Sequence, residues 1–309
     1  MKTTQPALLT KVERFVAATL LLWQLSASAY AQDTNLSFQA TQAAAGQGDP
    51  KAQYDLARSY ADGSGVQKDY VKAAQYLRQS ADQGYAPAQV ALGSFYGRGR
   101  GVPRNVAMAV SWYRKAAEQG NALAQYALGN FYASGRGVTN DMNQALQWWQ
   151  KAATQGQSDA QAALGQACLI PGTLPNTNHL SQAEALDWLH KAADQGSISA
   201  INDLGVAYEN GYGVKADCKE AAHWYRQAAE SGDPQAQVNL GQLYFDGRGV
   251  PYDLVQAYKW FKLSAMQGNN LGGICLGRYQ TRRLLSAKQL ADAEQQAIDF
   301  QPKPPQKQP

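Results

Sequence analysis

Histidine and cysteine are the side chains here most able to hold a metal or attack a substrate, and the chain has three of each. His179, His190 and His223 are scattered, with no carboxylate or cysteine at ligand spacing, so no metal site is expected. An odd number of cysteines in an oxidising compartment leaves at least one thiol free or pairs it between chains. Cys168 and Cys275 fall on apolar helical stripes and read as small buried hydrophobes, whereas Cys218, beside Asp217, is expected to be more exposed. A Cys168–Cys218 bridge stays open at this level, because it depends on Cβ proximity. Gly97-x-Gly99-x-Gly101 mimics part of a dinucleotide fingerprint, but it follows a helical pattern and recurs along the chain, so it reads as a turn. There is no nucleophile elbow, no Ser-x-x-Lys and no paired helical histidines. Catalytic, cofactor-binding and metal-binding residues are therefore all expected to be absent, and the chain reads as non-enzymatic. Trp112, Trp148, Trp188, Trp224 and Trp260 would make an aromatic ladder for a ligand, yet their recurrence on one helical stripe points to packing.

The elements behind that recurrence are helical hairpins. The stretch Ala122 to Gly156 is copied with drift, and its closing glycine returns at Gly84, Gly120, Gly156, Gly196, Gly232 and Gly268. The steps are 36, 36, 40, 36 and 36 residues, a period that marks stacked supersecondary units. Ala124, Ala127, Leu128, Phe131 and Tyr132 follow the i, i+3, i+4, i+7 spacing of an amphipathic helix; Ala145, Trp148, Trp149, Ala152 and Ala153 repeat it. Gly135-Arg136-Gly137-Val138 turns the chain between them, Asp141 is placed to cap the second helix, and Gly156 suits a left-handed residue after it. Inside the first helix a glycine recurs at Gly93, Gly129, Gly165, Gly205, Gly241 and Gly277, with Ala57 in the first copy. Glycine costs about 1 kcal/mol there, so its return predicts close approach of another backbone.

The pattern Ala127-Leu128-Gly129-x-x-Tyr132-x-x-Gly135-x-Gly137-Val138-x-x-Asp141-x-x-x-Ala145-x-x-Trp148-x-x-Lys151-Ala152-Ala153-x-x-Gly156 resembles the Sel-one-like repeat family, a tetratricopeptide-like group. The resemblance covers roughly residues 40–300. It implies an all-α fold, a right-handed α-solenoid of about six helix-turn-helix repeats with terminal capping helices. It also implies a protein-binding scaffold, with the first helix of each repeat lining the concave side. Some exported members act as immunity or inhibitor proteins against toxic effectors. Others carry a disulfide in every repeat and have β-lactam-related chemistry; this chain lacks the periodic cysteine pair, so a cell-wall or β-lactam hydrolase gains no support.

Residues 49–84, 85–120, 121–156, 157–196, 197–232 and 233–268 are the expected repeats, after a lead and half-repeat over 32–48. Residues 269–300 read as a closing unit, with a capping box at Ser286 and Gln289 and a stripe of Leu290, Ala293, Ala297 and Ile298. Residues 301–309 read as a Pro/Lys tail, disordered or in polyproline II. The fourth repeat departs over residues 168–179, which read as a protruding loop.

The positions that vary mark the binding surface. Tyr54, Val90, Tyr126, Ala162, Asn202 and Val238 lie four residues before Arg58, Ser94, Asn130, Gln166, Val206 and Gln242, on one face of each first helix. Tyr54, Arg58, Tyr126, Asn130, Asn202 and Gln242 are the expected contacts to a partner polypeptide. Arg98, Arg100, Arg136 and Arg248 would add a basic rim.

Residues 1–31 read as a secretory signal peptide: Lys2, Lys11 and Arg14, then an apolar run too short for a membrane span, then Ala29-Tyr30-Ala31. Cleavage leaves 25 basic and 23 acidic residues, a net charge of +2 that argues against nucleic-acid binding. The expectation is a periplasmic or secreted protein with no membrane span after cleavage.

Overall fold

A computed structural model describes residues 38–169, 181–278 and 284–305. The signal-peptide segment, most of the fourth-repeat loop and residues 306–309 lie outside them. Among the described residues every regular element is an α-helix. Helix α1 spans residues 38–46. The six repeats follow as α2 (Pro50–Asp62) and α3 (Tyr70–Asp82), α4 (Ala86–Arg98) and α5 (Val106–Glu118), and α6 (Ala122–Ser134) and α7 (Met142–Thr154). They continue as α8 (Ser158–Leu169) and α9 (Gln182–Asp194), α10 (Ile198–Asn210) and α11 (Cys218–Glu230), and α12 (Pro234–Asp246) and α13 (Leu254–Met266). Helices α14 (Asn270–Arg278) and α15 (Ala287–Ile298) close the array.

Each repeat helix runs 12 or 13 residues, marginal in isolation, so its stability comes from the face it buries. The ends are set by side chains. Asp141 accepts the Gln144 N–H at 3.1 Å, and Asp49 and Asp233 accept the N–H groups of Ala52 and Ala236 at 2.6 Å. Gly156 takes φ +86° just past α7. In the second, third, fifth and sixth repeats the second glycine of the inter-helix turn answers a tertiary constraint as well: at Gly249, φ +70°, a Cβ would collide with the Cys218 carbonyl at the start of α11.

The chain divides into two compact units, Met1–Ala124 with Arg136–Val138 and Gln125–Gly135 with Thr139–Pro309. In the first, α2 packs on α3, α3 on α4 and α4 on α5, around Leu56, Leu77, Leu92, Phe95 and Trp112. In the second, consecutive helices from α7 to α14 pack in turn, and first helix also meets first helix, α8 on α10 and α12 on α14. Leu189, Leu204, Tyr225, Leu240 and Leu243 are fully buried there. Helix α1 stands in for a preceding second helix: Gln53 donates to the Ala45 carbonyl at 3.3 Å, as Gln89 does to Ala81 at 3.2 Å.

At the C-terminal end the capping box is formed, with Ser286 and Gln289 each bonding the other's backbone. Ala293 and Ala297 are buried, but Ile298 is 63% exposed and leaves the expected stripe. Phe300 packs inward in its place, its ring centroid 5.7 Å from that of Trp260. Residues 301–305 have no regular structure and lie against the second-helix ends of the fourth and fifth repeats.

Candidate protein-binding face

Two contacts recur along the first helices. One is the helical glycine. A Cβ on Gly93, Gly165 or Gly241 would lie 3.2, 2.9 or 3.2 Å from the carbonyl oxygen of Ala109, Ala185 or Ala257 in the paired second helix. The expected close backbone is present there and at Gly129, 3.1 Å from the Ala145 carbonyl, but not at Gly277, which has nothing within 4 Å among the described residues. A side chain also covers the gap: Tyr113, Trp149, Leu189, Tyr225 and Phe261 lie over Gly93, Gly129, Gly165, Gly205 and Gly241. Each is the residue after the recurring tryptophan.

The other contact is a glutamine ladder. Gln89, Gln161 and Gln237 are buried, and each donates to a carbonyl near the end of the preceding second helix: Ala81, Ala153 and Ala229, at 3.1–3.2 Å. Each also accepts from the glutamine that ends its own second helix, Gln119, Gln195 and Gln267, at 2.7–2.9 Å. Gln53 with Gln83 and Gln125 with Gln155 repeat the second bond. A buried amide satisfied on both sides carries no desolvation penalty and fixes rotation of the first helix. In the fifth repeat Ile201 and Ser231 replace the pair together.

With rotation fixed, the variable positions are sorted. Tyr54 is half-buried, edge-on to Tyr85 at 5.6 Å, and exposed Arg58 lies 5.9 Å from the Tyr54 ring centroid. Tyr126 is half-buried; exposed Asn130 accepts the Trp149 indole N–H at 3.0 Å. Gln242 bonds Asp246 at 2.9 Å on the surface. Asn202 differs. It is 9% exposed, donates to Asp203 at 3.3 Å and accepts from Asn239 at 3.1 Å, so it serves as internal support.

Between α6, α8 and α10 the second unit has a hollow of about 120 Å³, lined by Tyr126, Asp159, Ala162, Ala163, Gln166, Ser199 and Asp203. Its floor is small, from two alanines, and its walls are polar. Burial, with Asp233 nearby, pushes the Asp203 carboxyl up to about 6, against the opposing hydrogen bond from Asn202. The hollow suits a hydrogen-bonding or cationic side chain. Of the turn arginines, Arg248 is engaged with Glu209 at 2.8 Å, and Glu209 also accepts from the Tyr225 hydroxyl at 2.7 Å. Arg100 lies 5.6 Å from the Tyr70 ring centroid.

The tryptophans divide as well. Trp112, Trp224 and Trp260 are buried, with no partner for the indole N–H among the described residues, so packing is their role. Trp148 and Trp188 are half-buried, with Lys151 and Lys191 stacked 4.2 and 4.1 Å from their ring centroids. His190 and His223 both meet Trp224 edge-on, and burial lowers the His190 pKa. Cys168 and Cys218 are free thiols; burial pushes the Cys168 pKa up to about 11. Cys275 is half-buried beside Phe261. No group of three or more His, Cys, Asp or Glu able to hold a metal occurs among the described residues. Nor is any described helix long and apolar enough to cross a membrane.

Reading the sequence missed the glutamine ladder and the hollow. The ladder had a signal, glutamine recurring at the repeat period with a second glutamine 30 residues after it in the regular repeats. Of the hollow, only Tyr126, Ala162 and Gln166 were marked, as variable positions, and nothing local joined them to Asp159, Ser199 and Asp203, because the lining comes from three repeats.

The arrangement is that of an all-α helical-repeat protein. The model of the Sel1 repeat matches residues 50–85, 86–121, 122–157, 158–197, 198–233 and 234–269, and the chain belongs to the Sel1 repeat family. Among solved structures it is similar to a protective antigen of uropathogenic Escherichia coli strains displaying an SLR fold, with 37% identity and a TM-score of 0.79. That match covers 88% of this chain and 57% of the antigen, so the chain spans little more than half of that relative. A Sel1 repeat protein from Oxalobacter formigenes matches at 32% identity and TM-score 0.68, over 82% of this chain and 98% of its own. Immunity protein Pa5087 of Pseudomonas aeruginosa is more distant, at 19% identity and TM-score 0.42 over 72% of this chain and 83% of its own, and that likeness carries no functional argument. No curated protein matches the chain.

Proposed function

We propose that this is a non-enzymatic periplasmic interaction scaffold that binds a partner polypeptide on the first-helix face. Sel1 repeat proteins are generally protein-interaction scaffolds, which supports the class. The observation that carries the site is the hollow between α6, α8 and α10, lined by Tyr126, Gln166, Asp159 and Asp203 beside two alanines. Tyr54, Arg58, Tyr126, Asn130 and Gln242 serve as contacts, and Asn202 holds Asp203 in place. The periplasmic assignment rests on residues 1–31 alone.

The test is a pull-down from periplasmic extract with residues 32–309 as bait, beside a bait carrying Tyr54→Ala, Tyr126→Ala and Gln166→Ala of equal helicity. A partner retained by the first bait and lost from the second is expected. Equal recovery on both removes the first-helix assignment, and cytoplasmic fractionation of the full chain removes the periplasmic one.

A further inference from the structure

The C-terminal residues are laid across the second-helix ends of the fifth and fourth repeats. Phe300 packs on Trp260 of the sixth repeat. Pro302 comes within 3.5 Å of where a Cβ on Gly232 would be, at the end of the fifth repeat. Pro305 makes the same approach, 3.5 Å, to Gly196 at the end of the fourth. Between them the Lys303 N–H donates to the Glu230 carbonyl at 2.8 Å, and its ammonium lies 3.8 Å from the Glu230 carboxylate. That carbonyl belongs to the last turn of α11, where carbonyls lack intrahelical partners. Three tail residues therefore span one repeat. A polyproline II strand advances about 3.1 Å per residue, so three residues of that form cover about 9 Å. The bare glycines let the proline rings sit close, and proline gives the strand little entropy to lose.

We propose that this edge is a binding site for an extended proline-rich peptide running against the repeat order, and that residues 300–305 are its resting occupant. The recognised chemistry is an aromatic residue, then prolines at three-residue spacing with a free amide between them. A partner segment of that kind takes the site by displacing the tail. The next repeat-ending glycine in this unit, Gly156, has nothing within 4 Å among the described residues. The edge is made of second-helix ends and is independent of the first-helix face.

The probe is the labelled peptide Phe-Gln-Pro-Lys-Pro-Pro, titrated by fluorescence anisotropy into the full chain and into the full chain carrying Phe300→Ala, Pro302→Ser and Pro305→Ser. In the native chain the tethered tail competes at an effective concentration on the order of millimolar. The expected result is binding at least about tenfold tighter to the variant than to the native chain. A peptide with proline in place of its lysine keeps the extended form but has no amide to donate, and is expected to lose about tenfold or more in affinity. If the triple variant loses helicity, Lys303→Pro in the full chain undocks the tail by the same missing bond and replaces it. Equal affinity for native and variant chains, no saturable binding to the variant, or full binding by the proline-for-lysine peptide would overturn the proposal.

Discussion

The third and fifth repeats fold alike and handle their polar groups differently. In the third, Trp149 covers Gly129 and its indole is held by exposed Asn130, while Gln125 and Gln155 pair inside. In the fifth, Tyr225 covers Gly205 and its hydroxyl goes to Glu209, which Arg248 of the next repeat also holds. Its glutamine pair is gone, replaced by Ile201 and Ser231, and its variable position, Asn202, is bonded inside. The lesson is that equivalent places in a repeat need a filled volume and satisfied donors, and several side-chain sets meet both needs. Sequence equivalence does not carry exposure with it.

The hardest test of this comparison is the glycine that both repeats share. An alanine Cβ would lie 2.5 Å from Trp149 Nε1 in the third repeat and 2.5 Å from Tyr225 Cε1 in the fifth. Gly129→Ala and Gly205→Ala are each expected to destabilise by about 3 kcal/mol, the upper end for overpacking, as read by denaturant unfolding. A gain in stability, as glycine replacement gives in an open helix, would show that the rings do not exclude a side chain.

The next effect belongs to Asp203, in the fifth repeat alone. Its folded pKa of about 6 lies above the ordinary value, so the neutral acid is favoured by folding. Its contribution is fully present below about pH 4, the unfolded value, and is lost as pH rises through about 6. The wild type should gain on the order of 2 kcal/mol from that group on going from pH 7 to pH 4, and Asp203→Asn should lack that component. Parallel pH profiles for the two proteins would refute it.

Grafting the glutamine pair into the fifth repeat sharpens the comparison further. Ile201→Gln alone buries an amide opposite Ser231 and should cost about 2 kcal/mol. Adding Ser231→Gln should recover most of it, a coupling visible in a double-mutant cycle. Additive effects would mean the ladder is not a paired unit. The smallest effect is Tyr225→Phe, at about 1 kcal/mol by thermal melting, because Glu209 keeps Arg248 after the hydroxyl is gone.

The repeats, their turns and their caps were legible in the sequence, because each is local chemistry repeated several times. Asp141 caps α7 and Ser286 with Gln289 starts α15, each at its expected place, and Asp49 and Asp233, each before a proline, cap α2 and α12. The candidate site was legible only as a set of helix positions. Tyr126 reaches the hollow and Asn202 does not, although both hold the same place in their repeats. Their neighbours decide this: Asn239 of the next repeat closes over Asn202.

By itself the sequence determined an all-α chain of helical hairpins and most of the stripe each helix buries, since capping, turn glycines and helical periodicity act within a few residues. Tertiary structure alone decided which ring covers which glycine, which variable side chains stay open, and where residues 300–305 lie. Those outcomes depend on contacts between residues about 20 to more than 100 positions apart, such as Tyr225 with Gly205 and Pro305 with Gly196, and no local pattern encodes them.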